Sequence, residues 1–104
     1  MDTFTIHHNT AYRSGGNFKY ILNVQAKILD DLNSRIVIPL VEKTKFPYPI
    51  KNLNPEVVID SIIYVIFTQQ ITAVPLSYLG QVVQNIELSR SVVLSAIDFA
   101  ITGF

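Results

Sequence analysis

The sequence contains no cysteine and no tryptophan, and it carries few charges. Without cysteine the chain can form neither a disulfide nor a thiolate metal site. Only 15% of its residues are charged, and eight basic residues balance eight acidic ones. Because neutralised phosphates supply most of the non-specific affinity of nucleic-acid-binding proteins, this balance argues against a nucleic acid as the principal partner.

Long apolar runs are also missing from the chain. The longest uninterrupted run, 62–67, has the length of a strand. It falls well short of the roughly 18 residues that a membrane-spanning helix needs. The first residues lack the basic start and the long apolar core of a signal peptide. We therefore expect a cytoplasmic protein with no membrane contact.

Hydrophobic residues are abundant despite these absences, at 49% of the chain. This fraction is high for a soluble monomer and indicates a buried interface between subunits. A chain of 104 residues has the size of one domain, which we place at 1–104. We expect this domain to gain buried surface by forming a homodimer.

Short segments with alternating polarity predict antiparallel strands over much of the chain. Residues 3–9 and 18–25 alternate in this way and are typical of half-buried strands. The apolar strand 36–38 is expected to end or bulge at Pro39, which cannot donate a ladder hydrogen bond. Short connections favour a meander of strands over parallel βαβ units.

Two nearly all-apolar runs, 57–59 and 62–67, flank an Asp-Ser pair and predict a β-hairpin. Their composition indicates that both faces of this hairpin are covered. Residues 71–74 are expected to form the last short strand. The residues that follow, 76–85, are expected to form a turn and a polar lead-in to a helix.

Polar and glycine- or proline-rich segments separate the predicted strands. Residues 10–17 contain two adjacent glycines and predict a flexible loop, without the signature of a phosphate-binding P-loop. Residues 42–55 contain two of the five prolines in their interior and a third at their end, and predict an extended, partly exposed excursion. Its lysines Lys43, Lys45 and Lys51 form a mild basic cluster, interpreted as solvated rather than as a contact for an acidic partner.

No pattern in the sequence indicates catalysis, a metal centre or a cofactor. His7 and His8 are adjacent on a strand, so they face opposite sides and cannot bind one metal ion together. Asp30 and Asp31 lie in a polar turn, where solvation or capping is more common than cation binding. A surface ion pair is expected for each arginine. The arginines are Arg13, Arg35 and Arg90.

The last seventeen residues, 88–104, form the longest helix-like run. At about 100° per residue, polar residues occupy one side and apolar residues the other. The polar residues are Glu87, Ser91, Ser95, Asp98 and Thr102, and the apolar ones are Ile86, Val93, Ile97, Ala100 and Phe104. The apolar side is expected to pack on a sheet. The polar stripe is either an ordinary solvated face or, with the terminal tripeptide, a partner-binding surface.

Two blocks of the sequence resemble the CcdB family of toxins from toxin–antitoxin modules. Block 23–40 reads NVQAKILDDLNSRIVIPL and is similar to the family pattern V-Q-x-x-I-[IL]-D followed by R-x-V-I-P-L. Block 72–104 shares with the family a Val-Pro, the following Ser and Gly, the Ala-Ile of the helix and a terminal glycine before a hydrophobic residue. Together the blocks cover about half of the chain.

The resemblance implies a mainly β fold, an SH3-like antiparallel barrel of the CcdB/MazF type with a small extra sheet and a C-terminal α-helix. It implies a symmetric homodimer that binds the A subunit of DNA gyrase and traps this enzyme on cleaved DNA, without being an enzyme itself. It also implies a CcdA-like antitoxin, with which the toxin represses their operon and meets DNA only indirectly. Such modules serve plasmid maintenance.

The family's gyrase-contacting positions correspond to two segments of this chain. An Ile-Ile pair before an aspartate corresponds to Ile28 and Leu29, and a helical asparagine corresponds to Asp98. The family ending Phe-Trp-Gly-Ile corresponds to 101–104, so Thr102 stands where the best-known members carry the stacking tryptophan. The implied gyrase-binding residues are Ile28, Leu29, Ser95, Asp98, Ile101, Thr102, Gly103 and Phe104.

Two alternatives to gyrase poisoning remain open. Ribonuclease toxins share this barrel, so an mRNA endoribonuclease is one of them. The neutral charge and the lack of a His/Arg/Asp constellation argue against it. The other is a non-toxic relative that only binds an antitoxin.

Overall fold

The structure is a computed structural model that describes residues 1–13, 17–46 and 48–103. The strands in these ranges are β1 (Thr5–Asn9), β2 (Tyr20–Asn23), β3 (Ser34–Glu42), β4 (Glu56–Ile59), β5 (Ile62–Ile66), β6 (Thr72–Pro75) and β7 (Leu79–Asn85), and the α-helix is α1 (Arg90–Thr102). Short 3₁₀ turns lie at Lys27–Leu29, Lys43–Lys45, Thr68–Gln70, Leu76–Tyr78 and Glu87–Ser89.

Every strand pair is antiparallel, in the order β4-β5-β3-β2-β1-β7, with β6 paired to β3. The long strand β3 joins two sheets, because its first residues pair with β6 and its last ones with β5. The β4–β5 hairpin and the end of β3 therefore form the small extra sheet. The prediction of a mainly β fold, an SH3-like antiparallel barrel with a small extra sheet and a C-terminal α-helix, is confirmed.

Pro39 neither ends nor bulges β3, so this prediction is wrong. Pro39 pairs with Ile21 of β2, and its carbonyl accepts a hydrogen bond from the Phe67 N–H at 3.0 Å. The N and O atoms of one strand residue face the same neighbouring strand. On this side of β3, the pairing with β6 ends at Val37 and the pairing with β5 begins at Leu40. Pro39 lies between these two pairings, so its lack of an N–H costs neither of them a hydrogen bond.

The hairpin at 57–66 forms as predicted, but its faces are not both covered. Asp60 and Ser61 have φ values of 51° and 66°. Positive φ at both central residues is the requirement of a type I′ turn, which matches the twist of the two strands. Val58, Ile62 and Ile63 are exposed, contrary to the prediction.

Residues 79–85 form the strand β7, so 71–74 is not the last strand as predicted. β7 pairs along β1 from Thr5↔Asn85 to Asn9↔Leu79, with two register irregularities. The irregularities break the alternation of polar and apolar residues that would have signalled a strand. The first three residues of β1, Thr5 to His7, are buried on both faces of the strand and are not half-buried as predicted, while His8 is exposed.

The core lies between the sheets and the first turns of α1. Its residues are Phe4, Ile6, Tyr20, Leu22, Ile38, Leu40, Ile59, Tyr64, Ile66, Ile86 and Val93. Val93 of α1 is fully buried there, and Ile97 packs against the cluster one turn later. This contact fixes the helix on the sheet and determines which helical face remains exposed.

Candidate functional site

Helix α1 is shorter than predicted at both ends. It begins at Arg90, after the 3₁₀ turn Glu87–Ser89, and ends at Thr102. Gly103 terminates it with φ 79°, and the Gly103 N–H donates to the Phe99 carbonyl at 2.8 Å. Glycine adopts this left-handed conformation without steric cost, as is common one residue past a helix. The predicted site residue Phe104 lies outside the described residues.

The helix exposes the predicted polar stripe. Ser91, Ser95, Asp98 and Thr102 are exposed, while Val93 is buried and Ile97 half-buried, as expected. Ala100 is exposed, although it was predicted to be buried and lies only about 20° from Val93 around the axis. The last turn of α1 therefore projects past the surface that covers its first turns.

Large apolar side chains are exposed on either side of this stripe. Ile101 is 75% exposed, Val92 53% and Leu94 44%. Apolar surface of this extent on one helix marks an interaction surface more often than a solvated face. The exposed residues Ser95, Asp98, Ile101 and Thr102 thus share one side of α1 with apolar neighbours.

The other predicted site residues lie on the 3₁₀ turn Lys27–Leu29. Ile28 is 89% exposed and Leu29 41% exposed. Leu32, on the polar link that follows, is 50% exposed and extends the apolar surface. The turn thus exposes two aliphatic side chains to solvent.

Two grooves border α1. The first, of about 520 Å³, is lined by Asn52, Asn54, Pro55, Ser91, Val92, Ser95 and Phe99. The second, of about 560 Å³, is lined by Asp2, Thr3, Phe4, Val24, Ala26, Lys27, Asn85, Glu87, Arg90 and Leu94. The second groove brings the Lys27–Leu29 turn next to the helical face that holds Leu94 and, two turns later, Ile101. Ser95 faces the first groove, so the predicted residues do not converge on one pocket.

Phe4, in the second groove, adopts a conformation that bulky residues rarely take. Its φ is 62°, in the left-handed region, and its side chain is buried. Its N–H donates to the Asn23 carbonyl and its carbonyl accepts from the Ile86 N–H, both at 2.8 Å. These bonds and the core packing hold the strained backbone, and they tie β2 to Ile86, which precedes the 3₁₀ turn leading into α1.

Charges around the site are mostly paired. Asp30 accepts a hydrogen bond from the N-terminal ammonium at 2.5 Å, and Arg35 and Lys27 lie near it. These contacts, the ammonium first, lower the pKa of the Asp30 carboxyl below its ordinary value. The carboxylate therefore stabilises the fold above about pH 4, and this contribution is lost as the pH falls through the lowered pKa.

Arg35 pairs with Asp30 at 3.7 Å, but it is buried and not at the surface as predicted. Its side chain is only 3% exposed and donates to backbone carbonyls. Arg90 forms the expected exposed pair with Glu87 at 3.8 Å. For Arg13, no ion pair is present among the described residues.

The lysines of the 42–55 excursion are exposed, as predicted, but two of them are neutralised. Lys43 pairs with Glu56 at 2.9 Å and Lys45 with Glu42 at 3.6 Å. The excursion therefore offers an acidic partner little free positive charge. Pro47 of this segment and residues 14–16 of the predicted flexible loop lie outside the described residues.

The two histidines have separate environments. His7 is buried, and its ring nitrogens contact Thr5 Oγ1 and the Gly80 carbonyl, both at 2.9 Å. His8 is exposed, and its ring lies 5.2 Å from that of Tyr20. Within the described ranges no cluster of three or more His, Asp or Glu side chains could hold a metal ion. In the same ranges no helix has the length and apolar character to cross a bilayer.

Comparison with solved structures supports the fold. The chain is similar to an endoribonuclease in complex with its cognate antitoxin from a mycobacterial species, with a TM-score of 0.73. The similarity covers 95% of this chain and 92% of that one, at 12% sequence identity. At this identity the likeness shows a shared fold alone. The sequence matches no curated protein at a significant level.

The family model for the CcdB protein matches residues 3–103. This match spans block 23–40, all but the last residue of block 72–104, and the segment between them. It also contains every predicted site residue except Phe104. The chain therefore belongs to the CcdB family, the toxins of toxin–antitoxin systems.

Proposed function

We propose that this protein binds the A subunit of DNA gyrase and traps the enzyme on cleaved DNA. The observation that supports the proposal is the exposure of aliphatic side chains at the family's target-contacting positions. Ile28 and Ile101 are 89% and 75% exposed. Burying them against a partner would recover about 25 cal/mol for each Å² of apolar surface removed from water.

The toxin would act by binding, without making or breaking a bond. A ligand shifts a conformational equilibrium only by its difference in affinity between the two states. The exposed helix stripe and the Lys27–Leu29 turn would therefore bind the cleaved state of gyrase more tightly than the religated one. Religation then requires that the toxin dissociate first.

The proposed partners are a second copy of this chain and a CcdA-like antitoxin. The high apolar fraction and the exposed apolar residues Val58, Ile62 and Ile63 of the β4–β5 hairpin support a homodimer. The antitoxin is supported by the family and by the fold neighbour, which was solved with its own antitoxin. The toxin–antitoxin complex would repress its operon, with the antitoxin contacting DNA, and these partners place the protein in the cytoplasm.

A supercoiling assay with purified gyrase tests this function. We expect the toxin at micromolar concentration to block supercoiling and to accumulate gyrase bound to cleaved DNA. The variant Ile28→Asp should lose this effect, whereas Val82→Asp, at an exposed aliphatic residue of β7, should keep it. Normal supercoiling and no cleaved complex with the wild-type toxin would refute the proposal. Incubation with mRNA, read on a gel, separates it from the endoribonuclease alternative.

A further inference from the structure

Two buried polar side chains lie beneath the exposed segment 27–34 and bond to its backbone. They are Gln25 and Arg35, and each is only 3% exposed. Both flank the segment in sequence, Gln25 two residues after the end of β2 and Arg35 in β3. Four carbonyl groups of the segment accept hydrogen bonds from these two side chains.

Arg35 supplies three of these bonds. Its Nη1 donates to the Leu32 carbonyl at 2.5 Å and to the Ser34 carbonyl at 2.8 Å. Its Nη2 donates to the Asp30 carbonyl at 2.9 Å. The rigid planar guanidinium thus fixes the relative positions of three backbone groups, which a flexible ammonium group could not do equally well.

Gln25, on the connection after β2, supplies the remaining hydrogen bonds. Its Nε2 donates to the Leu29 carbonyl at 3.1 Å and to the Ser34 carbonyl at 3.2 Å. Its Oε1 accepts from the Ile36 N–H at 3.0 Å. One amide therefore links the exposed turn to the first residues of β3.

This arrangement is costly as a means of stabilising a core. A buried guanidinium pays a desolvation penalty, which an apolar side chain of similar size would avoid. Its nearest carboxylate, on Asp30, is 3.7 Å away and partly exposed, and its Nε has no acceptor among the described residues. What the two side chains achieve is a fixed backbone under Ile28, Leu29 and Leu32, whose side chains are left exposed.

We propose that Arg35 and Gln25 are positioning residues that hold the turn in the conformation in which Ile28 and Leu29 meet the target. The inference rests on the proposed function, because it assigns these residues to the same binding surface. The entropy of ordering the turn is then lost on folding and is not lost again on binding. Neither residue needs to touch the partner.

A double-mutant cycle tests this role. Arg35→Lys retains the charge but loses the planar fork, and Gln25→Glu retains the acceptor for Ile36 but loses the amide donor. Each of these substitutions is made in the wild-type chain and in a chain that carries both Ile28→Ala and Leu29→Ala. The affinity of every variant for the purified gyrase A subunit is measured. We expect Arg35→Lys or Gln25→Glu to lower the affinity about tenfold in the wild-type chain. In the chain without both aliphatic side chains, the same substitution should lower the affinity little further. An equal loss in both backgrounds would show a general stability effect and overturn the proposal.

Hydrogen exchange of the free toxin provides a test that needs no partner. In Arg35→Lys and Gln25→Glu, we expect the amides of Leu29, Asp30 and Leu32 to exchange faster, with β1 amides unchanged. Unchanged exchange in the turn would overturn the positioning role. If the wild-type toxin does not bind gyrase but the exchange result is as expected, the proposed function is refuted. Arg35 and Gln25 would then still be shown to fix the conformation of the turn. Gln25→Glu carries both tests if Arg35→Lys does not fold.

Discussion

Thr102 stands where the resemblance to the CcdB family implies a stacking tryptophan. Its hydroxyl donates to the Asp98 carbonyl at 2.8 Å, so its polar group is used within the helix. Its side chain is exposed and offers little apolar area to a partner. Aromatic side chains, by contrast, dominate the energetics of many interfaces.

We predict that Thr102→Trp strengthens gyrase poisoning by about tenfold or more, because an exposed indole adds stacking area at the target surface. The measurement is the toxin concentration that halves supercoiling. Thr44→Trp, at another exposed threonine, is the matched control and should change nothing. An equal potency of Thr102→Trp and wild type would show that this position does not face gyrase.

A second single residue, Tyr64, makes the free energy of unfolding depend on pH in the alkaline range. Burial first, and then nearby Tyr20, Glu42, Asp60 and Tyr12, raise the pKa of its phenol above the ordinary value. Above about pH 10 the unfolded chain releases this proton while the folded chain retains it, so the free energy of unfolding falls as pH rises.

We predict that Tyr64→Phe reduces this alkaline loss of stability. Urea unfolding at about pH 8 and about pH 10.5 gives the loss for each variant. Tyr48→Phe serves as control, because Tyr48 is 87% exposed, and should behave as the wild type. A loss of the same size in Tyr64→Phe would mean that other groups cause it.

At the scale of elements, the pairing of β1 with β7 depends on a glycine. A Cβ atom at Gly80 would lie 3.0 Å from both the His8 carbonyl oxygen and the Thr10 Cγ2. The Gly80 carbonyl also accepts the hydrogen bond from buried His7. A side chain at this position must therefore displace the backbone of β1 or β7.

We predict that Gly80→Ala lowers the free energy of unfolding by about 1–3 kcal/mol, because the two strands must move apart. Chemical denaturation measures this change. Gln81→Ala, at the exposed neighbouring residue, should stay within about 0.5 kcal/mol of the wild type. A neutral Gly80→Ala would show that the loop at Thr10 yields without cost.

At the end of α1, unlike at Gly80, we expect a change to affect function and not stability. Because the last turn projects past the core, deletion of 102–104 should abolish gyrase inhibition while leaving the unfolding free energy nearly unchanged. Circular dichroism and denaturation of the truncated chain measure the fold, and the supercoiling assay measures function. An unfolded product would show that these residues are structural.

Sequence patterns predicted the elements whose signal is local. The β4–β5 hairpin has two apolar runs around its turn, and α1 has a helical period, so both were found. β7 was missed because its partner, β1, is distant in sequence and its register is irregular. The burial of Arg35 was missed because its acceptors are backbone carbonyls, which have no signature in the sequence. The site positions came from the family blocks, while the grooves beside α1 depend on tertiary packing.

At the scale of the whole molecule, exposed apolar residues occur on α1, on the Lys27–Leu29 turn and on the β4–β5 hairpin. A small domain with these surfaces gains stability when a second copy covers some of them. The absence of net charge also means that no long-range repulsion opposes association.

We predict that the melting temperature rises between about 1 µM and about 100 µM protein, because dimerisation is coupled to folding. Sedimentation at the same concentrations gives the mass of the assembly. A monomer throughout, with a constant melting temperature, would contradict the homodimer.

The projecting last turn of α1 has a consequence for evolution. Substitutions there meet no core residue, as the exposure of Ala100, Ile101 and Thr102 indicates. Mutations at these positions can therefore accumulate with little loss of folding, and selection acts on them through the partner alone. On the proposed function, the residues of this turn that contact the target can therefore change while the rest of the fold is retained.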